Sequence, residues 1–574
     1  MQAWNYLLAG GAVAWGAWSW RRYRRAEAGE AYLNLTAAAA GGLKLWLARG
    51  QPLCAVPAAP WDDRLFLQLT GYLLGGQWLG PYTRLTLAKG PFYPIFMAGA
   101  GVLKLPLITA HNLVYIAASW LFVRALRPLK LPIWVRAVFL VVLLLCPILA
   151  DSGSFVRAWR QSLWPGLVLL SLAGAVGLSL REQAGLRWQA IWALVAGAAA
   201  GAMWLTREEA IWTLPMLLGP VAIAGWRGWH SQRRGIRLIC LAMPLVIAGA
   251  AVSLVSWKNL RTYGFWGIVE FRDDAFVSAY SALCRVKPLD PQRRVPVTRA
   301  AREKIYAVSP AFASLRHEIE EGIGAAFMQV TEDNTGIPTA EHQIGGGWMM
   351  WTLREAVANT GQANSALAAR AFYRRLALEV DTACDDGRLD ALPRRHSMMP
   401  PWDRSYLPKF WAGAWLSLKQ IVDYPLTVDP VPSAGSPEDL AWAEAVVHER
   451  ASPADAAGTA ALGKPRRLAF LRGSVTVYGE VIPGLFAVAL GAWIFFLIRA
   501  AYSRELPWLI AVGSGIAVAI AGNIAVVALI NATSWPSISL GYLGASVPLA
   551  LCFIGVILAQ ITMAVEARRS RPPT

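Results

Sequence analysis

The chain has 574 residues, 56% of them hydrophobic and only 16% charged, whereas soluble proteins carry about 25% charged residues. With a mean hydropathy of +0.40, this excludes a soluble globular enzyme and places the chain among polytopic membrane proteins. The formal charge of +18, from 54 Lys and Arg against 36 Asp and Glu, suits cytoplasmic loops facing anionic lipid head groups, with no call for a nucleic-acid partner.

A spanning helix needs about 20 predominantly apolar residues. In chain order, apolar runs occupy Trp4–Trp20, Ala31–Ala48, Leu107–Val123, Ile133–Leu149, Leu163–Leu180 and Trp188–Leu205. Then come Ala210–Ala224, Leu238–Trp257, Ile482–Ile498, Trp508–Ile530 and Leu540–Val565. Trp4–Trp20 is not a signal peptide, because Arg21, Arg22, Arg24 and Arg25 follow the apolar stretch and no small-residue cleavage site appears. If both of the first two runs span, these arginines lie inside, as charge prefers, and about ten to eleven spans are expected.

Basic connectors recur at every second connection: Arg124–Lys130, Arg181–Arg187, Arg227–Arg237, Arg499–Arg504 and the tail with Arg568, Arg569 and Arg571. The positive-inside rule makes these cytoplasmic. The loop with Asp62 and Asp63, residues 151–161, residues 206–209, the long segment 258–480 and residues 531–537 then face outward. The expected fold is an all-α polytopic membrane protein. Residues 1–257 form an N-terminal membrane module whose first outer loop covers about 49–106. Residues 258–480 form a mainly helical extracytoplasmic domain, and residues 481–574 carry the last spans and a cytoplasmic tail.

In the outer domain, helices are predicted over Thr298–Ala307, Pro310–Glu321, Met349–Asn359 and Ser365–Ala383; in the last, Leu367, Phe372, Leu376 and Val380 approximate one apolar face. The aromatic stretch Pro400–Tyr424 reads either as domain core or as an amphipathic helix lying on the membrane. The six cysteines show no metal-ligand spacing. Cys284 and Cys384 fall in the domain expected outside, where a disulfide between them is permitted.

No Asp or Glu lies in the apolar interior of any of these runs. Ion-coupled transporters usually keep ionisable groups there. The carboxylates collect instead at outward helix ends and loops, which points to chemistry at the membrane–water boundary. In Trp61-Asp62-Asp63-Arg64, one carboxylate suits a general base; the other reading is an N-terminal cap for a helix over Arg64–Leu74. In Lys89-Gly90-Pro91-Phe92-Tyr93-Pro94, the ammonium suits a phosphate and the glycine a close backbone approach; a cationic anchor ahead of a short re-entrant helix is the alternative.

Thr206-Arg207-Glu208-Glu209 packs three charges between two apolar runs, so they are paired, solvated or lining a cavity. Arg157 and Arg160, at the outer end of another run, either bind an anionic phosphate or pair with Asp151 or Glu208. The acidic residues Glu270, Asp273 and Asp274 are candidates for a divalent metal ion, against the plainer reading of a solvated acidic loop. The six histidines are scattered, and Gly345–Gly347 opens no phosphate loop.

An acidic pair in the first outer loop, an amphipathic helix, the turn Gly76-Gln77-Trp78-Leu79-Gly80-Pro81-Tyr82 and the Lys89–Pro94 stretch together resemble the C-type (GT-C) integral-membrane glycosyltransferases. The branch is that of the protein O-mannosyltransferases and lipid A aminoarabinose transferases, which Thr206–Glu209 also resembles. The resemblance covers residues 59–125 most closely and 150–225 less so. It implies a bacterial inner-membrane enzyme whose active site faces the periplasm. The donor would be a sugar on a polyprenyl phosphate, and the acceptor a lipid, a glycan or a protein.

It further implies Asp62 or Asp63 as base, Lys89, Arg157 and Arg207 as the cations for the leaving phosphate, and Tyr93, Arg160, Glu208 and Glu209 as supporting residues, with inversion at the sugar. The chain departs from the family in its large domain between late spans and in an extra N-terminal run. The competing readings are a glycan ligase or polymerase using a lipid-linked oligosaccharide, a lipid flippase or transporter, and a non-catalytic envelope scaffold.

Overall fold

A computed structural model describes residues 28–569, apart from 182–183, 228, 230–233 and 289–290. The run Trp4–Trp20, its arginines and Arg571 lie outside the described residues.

Among the described residues the fold is helical, and β pairing is confined to three isolated bridges, Leu53 with Ala451, Cys54 with Arg157 and Val286 with Ala391. In chain order, the longer helices of the first half are α1 (Ala28–Ala48), α2 (Asp63–Leu74), α3 (Phe92–Val102), α4 (Leu107–Ala125), α5 (Ile133–Leu145), α6 (Arg160–Ser179), α7 (Leu186–Thr206), α8 (Leu214–Arg227) and α9 (Arg234–Tyr263). The middle segment holds α10 (Asp274–Arg285), α11 (Arg299–Val308), α12 (Ile323–Thr335), α13 (Gly346–Asn359), α14 (Ala366–Asp385), α15 (Tyr406–Val422) and α16 (Pro437–Val447). The chain closes with α17 (Pro465–Ser503), α18 (Trp508–Thr533) and α19 (Ser546–Arg569).

Eight described helices are long and apolar enough to cross a membrane, fewer than the apolar runs suggested. Helix α1 has 21 residues, about 30 Å at 1.5 Å per residue, but Glu30, Lys44 and its alanines and glycines leave it less apolar. The run Ala210–Ala224 is divided between a 3-10 turn and the 14-residue α8, with Pro220 inside it. At the other extreme, α17 has 39 residues. That is roughly twice what a bilayer core requires, so its first turns, with Arg466, Arg467 and Arg472, project beyond the apolar span.

Helix α6 is the hub of the bundle, buried nearly all round against α4 and α7. Small residues permit this: a Cβ on Gly174 would sit 2.5 Å from the Ala196 backbone of α7. The helix also separates two kinds of charge. At its start, Arg160 enters the cluster described below. Just past its end, Arg181 donates to the carbonyls of Ala125 (3.1 Å), Gly177 (2.8 Å) and Arg124 (3.1 Å). Arg136 and Arg127 pair with Glu30 at 2.7 and 3.5 Å. Arg124, Arg127, Arg136 and Arg181 thus lie together at one end of α6, with Glu30 among them, and the Asp62–Asp63 cluster lies at the other, about 30 Å away for its 20 residues. This is the charge asymmetry that the positive-inside rule describes.

In the middle segment, the predicted Pro310–Glu321 helix breaks into Pro310–Ala313 and Arg316–Glu320. On α14, Phe372, Leu376 and Val380 are buried as expected, while Leu367 is exposed. Helix α15 resolves the two readings of Pro400–Tyr424. It packs along α18, with Gly413 against Ala528, and turns Trp411, Trp415 and Leu416 outward. An exposed aromatic face beside a spanning helix is the amphipathic arrangement rather than domain core. All six cysteines are free thiols, so the Cys284–Cys384 bridge that the sequence permits is not formed. The Cys284 thiol engages the Tyr280 hydroxyl, and that of Cys384 faces Arg285 and Asp381.

Candidate functional site: two carboxylates clamped by cations

Helix α2 starts directly after Asp62, yet neither carboxylate caps it. Asp62 occupies the cap position without a side-chain cap bond, because stronger donors compete for it. Its Oδ1 accepts from Lys89 Nζ and, at 3.0 Å, from the indole N–H of Trp159. Asp63 accepts from Arg157 through Nε (2.8 and 3.0 Å) and Nη2 (2.7 Å), and from the Val56 backbone N–H at 3.1 Å. A bidentate arginine pair of this kind fixes orientation as well as charge. The cap expectation for this pair is therefore corrected: charge-assisted bonds outcompete the free helix donors.

The two neighbours differ in access. The Asp63 side chain is completely enclosed, whereas Asp62 keeps 36% of its surface open. Burial pushes the Asp63 carboxyl up to about 6, against the opposing pull of Arg157. Burial also acts against ionisation of Asp62, but the charge and hydrogen bond of Lys89, with Trp159 and Arg157, outweigh it and hold that carboxyl down at about 2. The Lys89 ammonium is itself sheltered by aromatic faces, 5.4 Å from the Phe66 ring and 5.8 Å from that of Trp351.

The Lys89–Gly90 turn lies on the end of α7. A Cβ at Gly90 would stand 2.2 Å from the Leu205 carbonyl oxygen, so only glycine fits this approach. The Gly90 N–H donates to Glu208 Oε1 at 3.1 Å. The other Glu208 oxygen accepts from Arg160 at 3.2 Å, and Arg160 also donates to the Thr206 carbonyl at 3.1 Å. Upstream, Leu79 and Leu87 hold left-handed backbone (φ 47° and 59°) while buried, a strained conformation for a branched residue that packing must sustain.

Arg207 points away from this opening. Its guanidinium donates to Glu209 at 3.0 and 2.5 Å and to the Gly541 carbonyl at 2.9 Å. It also lies 5.5 and 5.3 Å from the Trp164 and Tyr542 rings, and the residue is 1% exposed. Tyr93 is buried beneath the acidic pair, with its hydroxyl 3.3 Å from His111 Nε2 and its ring edge-on to Phe66 at 5.0 Å. Asp151 pairs with neither Arg157 nor Arg160; it accepts from the backbone N–H groups of Thr427 (2.8 Å) and Ser154 (3.1 Å).

Helix α13 adds residues that the motif reading missed. The Trp61 indole donates to Glu355 at 2.9 Å, and Arg84 donates to the other Glu355 oxygen at 3.1 Å. Arg354 pairs with Glu270 at 2.6 Å and donates to the Thr86 carbonyl at 2.6 Å, while the Tyr82 hydroxyl donates to Glu270 at 2.6 Å. The middle segment is thereby bolted to the 78–90 turn. A signal existed: Trp351, Arg354 and Glu355 stand three and four apart and share a helical face. Trp159 was in view beside Arg157, but nothing in its neighbourhood marked its indole as a donor to Asp62.

The acidic residues considered for a metal ion are turned to separate partners. Glu270 meets Arg354, Asp273 caps α10 and meets Arg370 at 3.1 Å, and Asp274 lies 3.5 Å from His396. Among the described residues, no group of three or more His, Cys, Asp or Glu is placed to hold a metal ion.

No protein-family model matches the chain, and no curated protein matches it. Two solved structures are similar to it. One is ArnT from Cupriavidus metallidurans bound to undecaprenyl phosphate: 15% identity, 94% of this chain and 81% of that one covered, TM-score 0.30. The other is the same protein in the apo state: 15% identity, 95% and 82% covered, TM-score 0.32. Superpositions this loose carry no argument about the fold or activity of this chain.

Proposed function

We propose that the chain is a GT-C-type membrane glycosyltransferase that moves a sugar from a polyprenyl-phosphate donor to an acceptor at the end of the bundle where Asp62 lies. The observation that carries this reading is the unequal access of two adjacent carboxylates. Asp63 is enclosed and gripped by Arg157, and Asp62 is open and paired with the sheltered Lys89. An open carboxylate beside a desolvated cation is what displacement of a sugar from a phosphate requires. The cation meets the leaving group and the carboxylate meets the nucleophile. The sequence resemblance over residues 59–125 supports the same assignment.

The acceptor oxygen attacks the anomeric carbon. Its proton passes to Asp62, and the bond from that carbon to the phosphate oxygen breaks with its electron pair on the phosphate. Lys89, with Arg157 and Arg160 behind it, carries the charge that develops there. Asp62 is a weak base while Lys89 holds it down at about 2. A donor phosphate that takes a share of the Lys89 ammonium relieves that hold, so the base strengthens when donor is bound. Asp63 and Trp159 are positioning residues, and Tyr93 supports the pair from below. Arg207, enclosed by Trp164, Tyr542 and Glu209, fixes the 206–209 turn that brings Glu208 to Gly90. Direct displacement inverts the sugar configuration. The arginines gathered at the far end of α6 support a site facing away from the cytoplasm, and the sequence resemblance supports a bacterial inner membrane with the site on its periplasmic face.

The test is transfer from labelled polyprenyl-phosphate sugars by purified protein in the presence of a membrane extract. Asp62→Asn is expected to lower the rate about 100-fold or more, the range for loss of a general base. Undiminished transfer by both Asp62→Asn and Asp63→Asn would sink the assignment. Absence of turnover with every lipid donor, together with substrate-stimulated lipid movement in liposomes, would point to a transporter.

A further inference from the structure

At the end of the bundle remote from Asp62, α8, α17 and α19 part around a cavity of about 1110 Å³. Its rim carries four arginines, Arg227 from α8, Arg499 from α17, Arg504 from the following turn and Arg568 from α19, against the single carboxylate of Glu505. Its wall is apolar, with Ile223, Phe496, Met563 and Ala564. Arg227 is anchored, donating to the Leu506 carbonyl and lying 4.5 Å over the Trp508 ring. Among the described residues, Arg499, Arg504 and Arg568 have no carboxylate partner, unlike the cations around Asp62 and Asp63, each of which is paired.

We infer that this cavity seats one anionic diacyl glycerophospholipid, its phosphate among Arg499, Arg504 and Arg568 and its chains against Phe496 and Met563. Three features favour a lipid over a free anion. The volume exceeds the roughly 300–1,000 Å³ of ordinary small-ligand pockets. The wall opposite the charges is aliphatic and aromatic, and Phe496, Met563 and Ala564 on it belong to α17 and α19, helices long and apolar enough to cross a membrane. Basic pockets between spanning helices recognise anionic head groups, and the planar arginine fork suits a phosphodiester. The three unpartnered charges sit on three different segments, so a bound headgroup would add a polar tie between α17 and α19, whose side chains meet in the ring contacts of Phe486 and Trp493 with Phe553. This inference is independent of the proposed transfer reaction.

Native mass spectrometry of the full chain in mild detergent tests it, with phosphatidylglycerol, phosphatidylethanolamine or inorganic phosphate as probe. One phosphatidylglycerol is expected to stay bound under activation that strips phosphatidylethanolamine. The combined Arg499→Gln, Arg504→Gln and Arg568→Gln variant should retain it at least tenfold less well, and the corresponding Lys variant should keep most of it. Met563→Trp, which fills the apolar wall and leaves every arginine in place, should also lose the lipid and stands in if the Gln variant does not fold. Equal retention by wild type, the triple Gln variant and Met563→Trp, or of the two lipids, would overturn the inference. So would displacement of phosphatidylglycerol by an equal concentration of inorganic phosphate, the mark of a free-anion site.

Discussion

Arg157 grips Asp63 through Nε and Nη2 at 2.8 and 2.7 Å, while Trp159, two residues on, donates to Asp62 at 3.0 Å. One tripeptide therefore orients both neighbouring carboxylates, and their carboxyl pKa values are displaced in opposite directions, Asp62 downward and Asp63 upward.

The pH consequence can be signed. The Asp63 carboxyl stands at about 6 in the fold, against about 3.9 for an unperturbed Asp. Between these values the folded chain holds a proton that the unfolded chain has released. The stabilisation from the neutral acid is thus fully present below about 3.9 and lost as pH rises through about 6. Ionisation is also what completes the Arg157 pair. Melting temperature relative to Asp63→Asn should decline from pH 4 to 6, while the transfer rate climbs over the same interval. A pH–rate profile and a parallel melting series check this, and the acid limb near 6 should vanish in Asp63→Asn.

Arg207 should be among the least replaceable side chains. Its guanidinium is buried, bonded to Glu209 and Gly541 and flanked by two rings. Removing one partner of a fully buried pair costs about 3–5 kcal/mol. Glu209 keeps 32% of its side chain open, so Arg207→Ala should cost less than that through the pair, yet with the lost Gly541 bond and ring packing it should still lower the melting temperature markedly. Arg207→Lys should recover little of it, because an ammonium cannot span both partners in the plane of the fork. Thermal denaturation followed by tryptophan fluorescence reads both.

Gly90→Ala should damage activity more than a single methyl usually does. The added Cβ meets the Leu205 carbonyl at 2.2 Å, so the Lys89–Gly90 turn must lift from α7, breaking the bond to Glu208 and moving Lys89 from Asp62. The expected outcome is a fall in transfer of at least tenfold with the helical circular-dichroism signal retained.

Glu355 separates hydrogen bonding from charge. Glu355→Gln keeps an acceptor for the Trp61 indole and loses only the pairing with Arg84, which is 46% exposed; exposed pairs are worth about 0–1 kcal/mol. Glu355→Leu strands the indole N–H of half-buried Trp61, at up to about 1–3 kcal/mol. Comparative melting should find the Gln variant close to wild type and the Leu variant clearly lower.

Much of the candidate site was legible in the sequence because its parts are local. The adjacent Asp62 and Asp63, Lys89 beside a glycine, and charges at the ends of apolar runs at Arg157, Arg160 and Glu208 all stand out against an apolar background. Pairings were harder to read. Arg157 was weighed against Asp151 and met Asp63, because a run of polar residues says which groups need partners but not which segments fold together. Glu355 and Gly541 were invisible for the same reason. Among the described residues, two of the apolar runs fall short of a strongly apolar spanning helix: α1, where alanine and glycine make a run apolar without making it strongly lipophilic, and Ala210–Ala224, which is split between a 3-10 turn and α8.

The bond from Arg207 to Gly541 crosses 334 residues, and that from Trp61 to Glu355 crosses 294. At about 5–20 residues per second, tens of seconds separate the synthesis of Arg207 from that of the carbonyl that receives it. Throughout that interval the growing chain carries, at the membrane surface, a guanidinium destined for full enclosure. The enclosure of Arg207 is thus a late product of biogenesis, completed only once Gly541 has been made, whereas the bonded partners of Asp62 and Asp63 are all synthesised by Trp159.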